Sequence, residues 1–120
     1  MATVRKPKSA SKALQVTFKD GTVIQRNTAT ETFVDVIRYF GPKEVSELSE
    51  FIIEGLPLVV PHKDYRMQLS KIDDNWFVST HMSTAGKKRL LEKIANRLDK
   101  AIAVQLMEWF IFYSTVITIS

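Results

Sequence analysis

Leu14-Gln15-Val16-Thr17-Phe18-Lys19-Asp20-Gly21-Thr22-Val23-Ile24 is the stretch on which the reading of this chain turns. Leu14, Val16 and Phe18 alternate with polar residues, the two-residue period of a half-buried strand. Val23 and Ile24 resume the β-prone pattern after an Asp-Gly pair, where glycine accepts the positive φ of a tight turn. The spacing predicts an antiparallel hairpin with strands Ala13–Lys19 and Thr22–Arg26.

Downstream of the hairpin the period changes. Thr28 with Glu31 three residues on matches a capping box, and Phe33, Val34, Ile37 and Phe40 follow at helical spacing. Gly41-Pro42 closes this helix and opens a second, which runs to about Leu48 with Val45 and Leu48 on its apolar side. Phe51-Ile52-Ile53 and Leu58-Val59-Val60 are short β-type runs around Gly55 and Pro57. Met67–Ile72 and Trp76–Met82 form a second hairpin around Asp73-Asp74-Asn75. Ser83 or Thr84 caps a last helix striped by Leu90, Leu91, Ile94 and Leu98, and Ala101–Leu106 reads as a strand. Hairpins followed by helices indicate an α+β domain, an antiparallel sheet with helices packed on one face. A length of 120 residues fits one such domain. It occupies residues 13–106, between a basic arm at residues 1–12 and an apolar strand or tail at residues 107–120.

Positive charge is segregated. Arg5, Lys6, Lys8 and Lys12 give the arm a net charge of +4 with no acid, and residues 83–100 carry another +4. The rest of the chain is net −4. Clustered charge raises local potential more than a net charge of +4 spread evenly would, and it points to a polyanion partner. The segment Ser79-Thr80-His81-Met82-Ser83-Thr84-Ala85-Gly86-Lys87-Lys88-Arg89 joins a strand to the basic helix. A helix N-terminus offers unpaired N–H groups to phosphate, and Lys or Arg there opposes the helix dipole unless an anion is bound. Ser83, Thr84, Lys87, Lys88, Arg89, Lys93 and Arg97, with Arg5, Lys6 and Lys8 of the arm, are the candidate phosphate contacts. Ordinary capping followed by a solvated face is the alternative for the helix.

Catalytic patterns are missing. Gly86-Lys87 fails the nucleotide-loop pattern, because position 81 is His and position 88 is Lys. No Gly-x-Gly-x-x-Gly occurs, so no dinucleotide cofactor is implied. The two histidines, His62 and His81, do not make a zinc site by themselves. His81 lies near Ser79 and Ser83 without an evident orienting group or oxyanion site. Glu54, Asp64, Asp73 and Asp74 are scattered and lack the spacing of a metal-dependent nuclease. No catalytic residue, metal ligand or cofactor is assigned. Phe18, Tyr65, Trp76 and Phe77 are aromatic residues that stack on bases if exposed and serve the core if not.

The chain has no cysteine, which leans towards a reducing, cytoplasmic setting, and no secretory signal follows the basic start. Trp109–Ile119 is uncharged and strongly apolar, but eleven residues fall short of the roughly 20 of a membrane-spanning helix. A buried or interface strand is the main reading of this segment, beside a membrane anchor or an unstructured tail.

Taken together, Phe18–Ile24, Ala29–Phe33, Val36-Ile37 with Gly41, Gly55-x-Pro57-Leu58-Val59 and Ser79-Thr80-His81 before a Lys-rich helix resemble a small uncharacterised bacterial α+β module. Such modules stand alone or at the ends of restriction and defence proteins. The likeness covers about Lys12 to Leu106; the segment beyond departs from it. It implies a nucleic-acid-linked setting and carries over no catalytic residue. The resulting expectation is a non-enzymatic module that contacts DNA or RNA backbone. The alternative is a protein-interaction or oligomerisation domain that uses Trp109–Ile119.

Overall fold

The computed structural model describes residues 12–53, 55–62 and 69–108. In chain order the elements are β1 (Lys12–Phe18), β2 (Val23–Ile24), α1 (Ala29–Phe40), α2 (Pro42–Ser46), β3 (Ile52–Ile53), β4 (Leu56–Pro57), β5 (Val59–Val60), β6 (Leu69–Asp73), β7 (Trp76–Ser79), α3 (Thr84–Arg97) and β8 (Ile102–Glu108).

The opening hairpin forms as its sequence predicts, with Val16 opposite Ile24 and Thr17 opposite Val23. Its turn is closed by Phe18 N–H to Thr22 O at 2.8 Å and Gly21 N–H to Phe18 O at 2.9 Å, with Gly21 at φ 94°. The Asp20 carboxylate accepts the Thr22 N–H at 2.9 Å and rigidifies the loop. The second strand is shorter than Thr22–Arg26 because the chain leaves the sheet at once. Arg26 N–H donates to the hydroxyl of buried Thr32 at 2.8 Å and turns the backbone into α1.

Thr28 caps α1, its side chain accepting the Glu31 N–H at 3.1 Å. Gly41, at φ 103°, ends α1 by donating to Ile37 O and Arg38 O, and Pro42 starts α2 where its missing N–H costs nothing. α2 stops at Ser46, two residues before Leu48.

Among the described residues pairing is antiparallel throughout, but it is divided among three sheets in place of one. The first has the order β2-β1-β8, the second is the β3-β4 ribbon, and the third has the order β5-β7-β6. β1 and β8 pair without interruption from Lys12↔Glu108 to Phe18↔Ile102. The last strand therefore runs two residues past Leu106, and β1 takes in Lys12 from the predicted arm. The Asp73-Asp74-Asn75 turn joins β6 to β7 as expected, with Asp73 accepting the Asn75 N–H at 2.8 Å. The remainder of the arm and Trp109–Ile119 lie outside the described residues.

The division has a physical cause. α1 buries a broad arc, Ala29, Thr32, Phe33, Val34, Val36, Ile37 and Phe40, wider than a single-sided stripe. It packs against β1 and α3, and against β6 as well. Arg38 strengthens the latter contact by donating from Nε at 2.9 Å and Nη2 at 2.6 Å to Ile72 O on β6. α3 rests on β8 and β1 beside α1. One core joins all of these, with Leu14, Val16, Phe18, Leu58, Ile72, Val78, Leu91 and Ile94 among its members.

Candidate polyanion-binding surface

α3 starts as its sequence indicates. Ser83 is the N-cap, and its hydroxyl accepts the Gly86 N–H at 2.9 Å. A Cβ at position 86 would come within 3.2 Å of that hydroxyl, so glycine keeps the cap close. Thr84 is the first residue of the helix and is half-buried.

The basic residues that follow separate into three groups. Lys87 is withdrawn from the exposed face of the helix and is only 4% exposed. It occupies the same stripe as Leu91, Ile94 and Leu98, one turn ahead of Leu91. Its Nζ donates to Thr80 O at 3.2 Å and Met82 O at 2.8 Å, tying the β7–α3 connection onto the helix. Its assignment as a phosphate contact is corrected accordingly. The position was legible: stepping back four from Leu91 and seven from Ile94 reaches residue 87. No carboxylate among the described residues pairs with this amine. Burial pushes it below its ordinary value near 10.5. A neutral amine has two N–H donors, which match the two carbonyls; the third proton of the ammonium adds charge without adding a bond seen here.

A pH dependence follows. Between the lowered folded value and 10.5 the unfolded chain binds a proton that the folded chain does not. Stability contributed by Lys87 therefore rises with pH across that alkaline window. Urea unfolding at a series of alkaline pH values is expected to show this rising component in the parent chain. It should be missing from Lys87→Met.

Lys88 and Arg97 form the second group. Lys88 pairs with Glu92 at 2.9 Å one turn along, and Arg97 pairs with Glu50, beyond α2. Both retain exposure, but their charge is partly answered.

Arg89 and Lys93 are the third group. Both are exposed, and neither has an ion-pair partner among the described residues. With Arg97 they stand four residues apart on one row of the helix, opposite the buried stripe. At 1.5 Å per residue the row extends roughly 12 Å. At the C-terminal end of the helix, Asn96 and, just beyond it, Lys100 are joined by Lys19, which follows β1, and these line an open depression of about 420 Å³. Asp99 also borders it, so the depression is not purely basic. Lys19 was not predicted as part of this surface, because only the β1–β8 pairing brings it near α3.

The other residues singled out by sequence fall elsewhere. Arg5, Lys6, Lys8, Tyr65, Glu54 and Asp64 lie outside the described residues. Phe18 is buried and its ring lies tilted against Tyr39 with centroids 4.1 Å apart, and Trp76 packs partly buried against the core. Neither ring is presented to a base. His81 is exposed at the mouth of a pocket of about 450 Å³ that Lys87, Thr80, Met82, Ser83 and Thr30 also line. Asp73 and Asp74 sit in their turn. No group of three His, Cys, Asp or Glu side chains gathers among the described residues. No helix among them is long and apolar enough to cross a membrane. Comparison with known proteins finds no matching family model, no matching curated protein and no matching solved structure.

Proposed function

We propose that this chain is a non-enzymatic binding module whose third helix contacts the phosphate backbone of a nucleic acid. The observation that supports the reading is the row formed by Arg89, Lys93 and Arg97, two of whose three charges have no acidic partner among the described residues. Its length corresponds to three or four base steps at 3.4 Å per step along one strand. Exposed arginine and lysine without built-in counter-charges gain most when they displace condensed cations from a polyanion. The basic arm, with Arg5, Lys6 and Lys8, adds a second set of positive charges to the contact. Contacts of this kind position a backbone and read little sequence.

Labelled DNA and RNA titrated at two salt concentrations test the proposal. Binding is expected at low salt and should weaken steeply as salt rises. Arg89→Glu with Lys93→Glu is expected to reduce the salt dependence by about two contacts, each worth ~0.9 in the log–log slope for duplex DNA and ~0.7 for single strands. Far-UV circular dichroism of the variant should match the parent, since both residues are exposed. No binding at low salt, or binding unaffected by the double substitution, would refute the role of α3.

A further inference from the structure

The pocket of about 450 Å³ beside the start of α3 has no part in the contact described above. Thr30 from the first turn of α1, Thr80 and Met82 from the β7–α3 connection, and Ser83 and Lys87 from the start of α3 line it. The starts of the two long helices thus meet at one opening. Thr28 answers the Glu31 N–H, and Ser83 answers the Gly86 N–H. The first two N–H groups of each helix, at Ala29 and Thr30 and at Thr84 and Ala85, have no intrahelical acceptor. A helix start also carries the positive end of the helix dipole. Among the described residues that line the space, none is acidic.

Two side chains withdrawn from the surface add a further preference. The Lys87 amine is bound to Thr80 O and Met82 O, and its third ammonium hydrogen has no acceptor among the described residues. Thr80 is 5% exposed, and its hydroxyl forms no hydrogen bond with a described residue. Ser79 Oγ is the unpartnered hydroxyl that is shut off from solvent; that of Thr80 is not. A spare donor on a lysine and another on a threonine, next to two helix starts, call for an anion rich in acceptors. Burial denies Lys87 to the extended backbone of a polymer, but the pocket gives a small group a way in.

We propose that this pocket binds a phosphate group, with the Lys87 ammonium, the Thr80 hydroxyl and the N–H groups of the helix starts as its donors. A phosphate monoester brings close to two negative charges and three strong acceptor oxygens, whereas a carboxylate brings one charge and two oxygens. The site is separate from the row of Arg89, Lys93 and Arg97, which lies on the opposite face of α3. Its phosphate is free in solution or is carried by a small molecule whose remainder projects from the open side.

Titration of the full chain with inorganic phosphate at neutral pH and constant ionic strength, followed by amide NMR, tests this. Saturable shifts are expected at Thr30, Thr84 and Ala85, with a Kd on the order of 1 mM. Lys87→Met should weaken binding at least tenfold by removing a charged donor. Thr80→Val should weaken it roughly fivefold. The second variant keeps both Lys87 and the shape of the side chain, so the test stands even if Lys87→Met does not fold. A nucleoside monophosphate that binds more tightly than inorganic phosphate would assign the pocket to a phosphate ester; equal or weaker binding would assign it to the free ion. Absence of saturable shifts up to about 50 mM phosphate would overturn the proposal. So would an unchanged Kd in Thr80→Val, or loss of the shifts in Arg89→Glu with Lys93→Glu, which would place the ion on the exposed row.

Discussion

Phe33→Ala is expected to destabilise the domain by about 3–5 kcal/mol. Phe33 is fully buried on α1, among residues that meet β1 and α3. Truncation removes apolar area and leaves a cavity that walls shared by several elements cannot readily close. Against a typical domain stability of about 5–15 kcal/mol, a fifth or more of the total disappears. Urea unfolding followed by circular dichroism measures it: the midpoint should fall while the slope holds. A loss under about 1.5 kcal/mol would mean that α1 is not the central packing element that its buried arc makes it.

Lys87→Glu is expected to cost at least about 3 kcal/mol at neutral pH. The substitution puts a carboxylate where an amine now donates to Thr80 O and Met82 O. Both carbonyls lose a donor and face an acceptor, and the new charge has no base beside it. Part of the loss should return as pH falls and the buried carboxyl takes up a proton, a recovery that Lys87→Met has no group to show. Thermal melts of both variants at acid and neutral pH make the comparison. The result bears on function too. Loss of nucleic-acid binding in Lys87→Glu would report unfolding, whereas Arg89→Glu and Lys93→Glu alter the exposed row and leave the core alone.

The sequence carried local structure well and side-chain environment unevenly. Asp20-Gly21, Thr28 with Glu31, Gly41-Pro42 and Ser83 each specify a turn or a cap through neighbours within four residues, and each is found in place. The α+β class follows from that order of elements. The partition into three sheets is set by what α1 meets on its second side, including Ile72, and no local pattern encodes such a contact. Lysine's charge concealed its place in the stripe with Leu91 and Ile94, although the helical period alone located it. Within the candidate surface, Arg89 and Lys93 were legible as a row. The pairing of Arg97 with Glu50 and the arrival of Lys19 beside Lys100 depend on chain segments far apart in sequence.

The central strand of the first sheet has partners at opposite ends of the described chain. β2 follows β1 after a short turn, but Phe18 pairs with Ile102, 84 positions later. On a ribosome adding about 5–20 residues per second, Leu14, Val16 and Phe18 would wait roughly 4–18 s between their own synthesis and that of their partners on the strand that completes the sheet. The β5-β7-β6 sheet has no such delay between partners, since its strands lie within a few turns of one another in sequence. The first sheet is therefore the part of the fold most exposed to misassembly during translation. A chain interrupted before β8 leaves β1 as an open edge, available to other nascent chains.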